Sequence, residues 1–209
     1  MSQRLYKWEI ALALGFLIAL LWGVTTARAQ GELADRVIRI HVIANSDSEE
    51  DQRLKLEVRD AVLELVAEAG EGVKTPEEMC RALIPKLPEL ENLGEKVLRE
   101  QDCMDDVTAS LTECWFPTKD YGAFSFPAGE YTALRLVIGD GEGENWWCVA
   151  FPPLCVGAAA ESIENAVCVG YFTQEQGALL TAQEGEYILR FKSMELFGEI
   201  KRLILGENT

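Results

Sequence analysis

The chain has 209 residues, 48% of them apolar, which is enough for one ordinary domain with a real hydrophobic core. Its formal charge of −16 argues against nucleic acid as a partner, because phosphate binding needs a basic patch and none is visible. The same charge disfavours docking of the folded part on anionic lipid.

The N-terminus reads "MSQRLYKWEIALALGFLIALLWGVTTARAQ". Arg4 and Lys7 form a short basic region, an apolar run covers residues 10–24, and Ala27-Arg28-Ala29 is an A-x-A cleavage site. This is the layout of a secretory signal peptide over residues 1–29. The apolar run falls short of the roughly 20 residues of a spanning helix, and an uncleaved signal anchor is the alternative. Either places the domain outside the cytoplasmic membrane, with membrane contact only through this segment if it is uncleaved.

Residues 37–44 are β-branched and mostly apolar, as in a buried strand. "ANSDS" ends it, and Ser46 or Ser48, each followed three residues later by an acid, can cap a helix. That helix carries Leu54, Val58, Val62 and Leu65 on one face. Thr75, Pro76 and Glu78 predict a second helix start. Pro85 and Pro88 interrupt that helix, and a further helical stretch runs to about residue 101. In "DVTASLTECWF", residues 107–112 alternate with period two, as in a half-buried strand. "FPTKDYGAFSFPAGEY" reads as a loop with a turn at Pro127-Ala128-Gly129, and "YTALRLVIG" as a strand. "DGEGE" turns the chain into the strand "NWWCVAF", which Pro152-Pro153 ends. Residues 156–209 form a C-terminal extension: a short helix at "AAAESIENAV", a linker over 170–186, a strand at "EYILRFKS" and a closing helix. The order predicts an α+β class: an antiparallel or mixed sheet with helices packed on one face, in a single domain after the signal peptide.

Chemical sites are few. His41, the one histidine, sits in an apolar strand, where a structural role outweighs catalysis. It cannot build a common zinc site with the cysteines, and no metal or cofactor is expected. Asp47 and Asp51 can serve as an acid–base pair or as helix-capping charge, and the spacing is not that of a calcium loop. The glycines of "GDGEGENWW" are flanked by acids, which repel phosphate. Six cysteines allow 15 pairings. Cys148 and Cys155 are the natural local pair, and small buried hydrophobes are the alternative reading. Trp146 and Trp147, adjacent in a strand, must point to opposite faces. One can join the core, and the other needs a helix, a loop or a partner to cover it.

The runs "IRIHVIANSDSEEDQRLKLEVRDAV" and "FPTKDYGAFSFPAGEYTALRLVIGDGEGENWWCVAFPPLC" resemble the stage II sporulation protein R family of endospore-forming bacteria over residues 33–155. The resemblance implies a signal rather than an enzyme. Members are exported from the forespore into the space between forespore and mother-cell membranes. There they activate a membrane-embedded aspartic-type protease that cleaves the precursor of sigma factor E. The resemblance implies no catalytic residues. Matching positions expected to contact the partner, or to scaffold the contact, are Asn45, Ser46, Asp47, Asp51, Gln52, Arg59 and Asp60 in the first run. In the second they are Phe116, Pro117, Lys119, Tyr121, Pro127, Gly129 and Tyr131, followed by Asn145, Trp146, Trp147, Cys148, Pro152, Pro153 and Cys155. The competing classes are a secreted hydrolase using the Asp47 and Asp51 carboxylates, and a structural envelope protein.

Overall fold

The computed structural model describes residues 2–122, 124–154 and 159–181. Helix α1 (Ser2–Ala34) comes first, and its stretch Tyr6–Ala34 is long and apolar enough to cross a membrane. The end of this helix belongs to the domain, since Leu33 and Ala34 are buried in its core. Strand β1 (Ile38–Ile43) follows at once.

The helix starts form where the capping residues stand. Ser48 accepts a hydrogen bond from Asp51 N to open α2 (Glu49–Ala69), whose first turn carries three acids against the positive end of the helix dipole. Thr75 accepts from Glu78 N to open α3 (Pro76–Leu83), and the Glu78 carboxylate reaches back to Lys74 N. Proline 85 falls in a single 3₁₀ turn (Ile84–Lys86), after which α4 (Leu87–Glu100) begins.

Strands β2 (Val107–Phe116), β5 (Gly129–Ile138) and β6 (Asn145–Phe151) join β1 in one sheet of order β2-β5-β1-β6. Strand β5 runs parallel to β1, while β2 and β6 are antiparallel to their neighbours. The sheet is therefore mixed. On its first face, Ile38, Ile40, Val42, Leu134 and Leu136 pack with Leu54, Val58, Val62, Met79, Leu83, Leu90 and Leu98 of α2–α4. Burying such side chains contributes about 1.5–3 kcal/mol each. Gly94 lets α4 approach β2, because a Cβ there would lie 3.0 Å from the Val107 side chain.

The second face has its own core. A small hairpin of β3 (Lys119–Asp120) and β4 (Ser125–Phe126), the end of α1, and helices α5 (Ala159–Val169) and α6 (Gln174–Thr181) bury Phe116, Phe126, Tyr131, Val149, Ile163, Phe172 and Leu180. Helix α6 lies inside the span 170–186, expected as a linker. Thr173 and Gln176 cap each other's backbone N–H, which starts a helix despite the Gln- and Gly-rich composition. The expected C-terminal strand and closing helix lie outside the described residues.

Candidate functional site

The loop "NSDS" between β1 and α2 clasps the β5–β6 turn. Asn45 Oδ1 accepts from Asp140 N at 3.0 Å, and Asp47 Oδ1 accepts from Glu144 N at 2.7 Å. Asp51 Oδ2 accepts from Ser46 Oγ and Asn45 Nδ2, and Gln52 donates to Ser46 O. Lys55, almost wholly buried, donates to Gln52 Oε1 and to Glu144 O. Burial lowers its ammonium from the ordinary value, with Glu144 and Asp47 opposing. Glycine is required on the other side of the clasp. Gly139 has φ 55°, and a Cβ at Gly143 would meet Ser46 O at 2.3 Å. Asp47 and Asp51 are thus engaged in holding backbone and capping groups, which accounts for their presence without chemistry.

The second run of expected residues surrounds Arg39, which the sequence reasoning did not single out. Arg39 is 0% exposed, with its guanidinium 4.3 Å from the Phe116 ring centroid and 5.1 Å from that of Tyr131. It donates to Cys148 O and to Tyr121 Oη. No carboxylate pairs with it among the described residues. Tyr131 Oη donates to Pro127 O at 2.7 Å, and burial pushes its phenol up to about 12, with Arg39 opposing. Gly129 faces the Gln30 side chain at a distance no Cβ would allow. Phe116, Tyr121, Pro127, Gly129 and Tyr131 therefore form or support the cage of a buried cation, held by ring faces and two hydrogen bonds. Pro117 and Lys119 are half-buried at its edge. The signal available in the sequence was the pair Arg39 and His41, two residues apart and so on one strand face, in the otherwise apolar run "VIRIHVI".

The tryptophans part as strand geometry demands, and both are half-buried. Trp146 packs against the first core, under the Arg59 guanidinium at 5.1 Å, while Arg59 also pairs with Asp60. Trp147 lies on the second face beside His41, with Lys119 Nζ 5.6 Å from its ring. Cys148 is buried and disulfide-bonded, and Cys80, Cys103, Cys114 and Cys168 are free thiols. Its expected partner, Cys155, lies outside the described residues. Pro152 is buried after a cis peptide bond, and Pro153 is exposed. Pro153 and Phe151 line a cleft of about 580 Å³ with Val66, Val73, Val169 and Tyr171.

His41 Nε2 lies 2.6 Å from Asn145 Oδ1. Burial holds the imidazole below its ordinary value; the Asn145 bond opposes this, and Arg135 and Arg39 add to it. With an amide as its partner and cations as its charged neighbours, His41 lacks the acid that orients a catalytic histidine. Among the described residues no group of three or more His, Cys, Asp or Glu side chains could hold a metal ion.

The structure thus defines an α+β domain behind a long apolar helix, with many of its motif residues engaged in a loop clasp and an aromatic cage. The sequence model of stage II sporulation protein R matches residues 34–161. Stage II sporulation protein R of Bacillus subtilis (strain 168) is 36% identical over 144 residues. That match covers 68% of this chain and 64% of the relative's length. No solved structure matches. The chain belongs to the stage II sporulation protein R family, and with that membership comes a role in sporulation.

Proposed function

We propose that this chain is an exported signalling protein of sporulation. In this reading it binds the extracytoplasmic part of a membrane-embedded aspartic-type protease of the mother cell and raises its activity toward the sigma factor E precursor. Family membership is the observation that carries the reading. The apolar N-terminal helix, which fits a signal segment, supports it, as does the structural use of Asp47 and Asp51. The domain acts from the space between the two membranes. Activation requires that it bind the active state of the protease more tightly than the inactive one, since a ligand of equal affinity shifts nothing.

The test is reconstitution in a non-sporulating cell that produces the exported chain, the protease and the precursor. Cleavage that needs all three is the expected result. Cleavage independent of this chain, or no cleavage with all three present and the chain exported, would contradict the reading.

A further inference from the structure

Across the second face of the sheet, register places Ser110, Arg135, His41 and Trp147 side by side, one from each strand. None is fully buried, unlike Arg39 and Val149 in the next row, which the hairpin and α5–α6 cover. Lys119 of the hairpin stands beside Trp147. Among the described residues, the row therefore marks where the covering layer stops.

Its charge is anomalous for a chain at −16. Every ion pair among the described residues lies on α2, on α4 or in the turn before α4, all on the opposite face. Arg135, Lys119 and Arg39 enter none of them. Among the described residues, the charged groups acting on His41 are Arg135 and Arg39, the one acting on Cys114 is Arg135, and no carboxylate bears on either. Two nitrogen donors of this face, Arg39 Nη1 and Trp147 Nε1, are buried without a hydrogen-bond partner, as is His41 Nδ1, the unprotonated nitrogen of a ring whose Nε2–H goes to Asn145 Oδ1. Buried donors are ordinarily satisfied, so unmet donors beside cations without ion pairs mark a face that, among the described residues, is short of carboxylates.

We propose that this row, with Lys119, is the docking surface for a carboxylate-bearing segment of the partner protein. The row spans about 14 Å across four strands, the width of a short peptide. The acidic remainder of the chain disfavours nucleic acid and anionic lipid, whose charge is spread far beyond one row. The proposal rests on the function proposed above.

Arg135→Glu in the full chain tests it, with Arg135→Lys as its conservative companion. In the reconstituted system, Arg135→Glu is expected to lower precursor cleavage at least roughly tenfold, because like charges at an interface repel. Arg135→Lys should retain most of it, with export and melting temperature unchanged in both. A fluorescent pentaglutamate peptide titrated at low salt against the detergent-solubilised full chain reads the surface without the protease. Saturable binding, weakened roughly tenfold or more by Arg135→Glu, is expected. If wild type binds this peptide but drives no cleavage, the proposed function falls and the surface stands. Wild-type cleavage by Arg135→Glu, or peptide binding indifferent to it, overturns the surface. A dimer in gel filtration that Arg135→Glu dissociates would make a second copy the occupant and also overturn it.

Discussion

On the helical face of the sheet, Ile38, Ile40 and Val42 meet Leu54, Val58 and Val62 in a dry aliphatic core. On the other face the same strand turns Arg39 into a cage of Phe116, Phe126 and Tyr131 and sets His41 where the cover ends. The first face holds α2–α4 chiefly by apolar area, with a few polar ties such as Ala109 N donating to Glu91 Oε1 and Lys55 donating to Glu144 O. The second spends buried surface on a cation, on hydroxyl hydrogen bonds and on two unmet nitrogen donors, Arg39 Nη1 and Trp147 Nε1. Buried polar groups of this kind are weak contributors to stability and are costly when half-satisfied. Their concentration on one face separates what holds the fold from what is left available for binding.

Breaking the cage should have the largest effect. Arg39→Ala leaves a cavity and frees Tyr121 and Cys148 O, and it is expected to lower stability by about 3–5 kcal/mol in chemical denaturation. Arg39→Met, which fills the volume without the charge, should recover part of that loss. Leu134→Ala on the helical face should cost about 3 kcal/mol, read in the same way. Gly143→Ala drives a Cβ onto Ser46 O and should open the clasp at about 1–3 kcal/mol, seen as faster amide exchange in the turn Gly139–Glu144. Ser48→Ala should cost about 1 kcal/mol as a lost cap.

The smallest effect is in pH dependence. His41 has a lowered value in the folded state, so the unfolded chain binds more protons as pH falls below about 6.5. Its contribution to stability is full above that pH and is lost on further acidification. His41→Gln should flatten the melting-temperature profile below about pH 6.5. An unchanged slope would mean that His41 is not held neutral by the second face.

The first face was legible because its chemistry is periodic. Leu54, Val58, Val62 and Leu65 recur at helical spacing, and Ser48 and Thr75 announce their helices locally. The second face was not. Pairing of β1 with β5 joins residues about ninety apart, and no local pattern states whether it is parallel. Asp47 read as helix-capping charge and Asn45 only as a position for partner contact, but their grip on Glu144 and Asp140 reaches across 97 and 95 residues. The aromatics of "YGAFSF" looked like a loop, because their reason for clustering is Arg39, some eighty residues earlier. Composition hid α6, although Thr173 and Gln176 stood in capping positions.

The division of labour between the faces is tested most directly by measuring melting temperature and precursor cleavage together for Arg135→Glu and Leu134→Ala. Arg135→Glu should keep its melting temperature within about 2 °C of wild type and lose cleavage, whereas Leu134→Ala should lose several degrees and still drive cleavage at a temperature where it is folded. Wild-type cleavage by Arg135→Glu, with the protein exported and folded, would contradict the account.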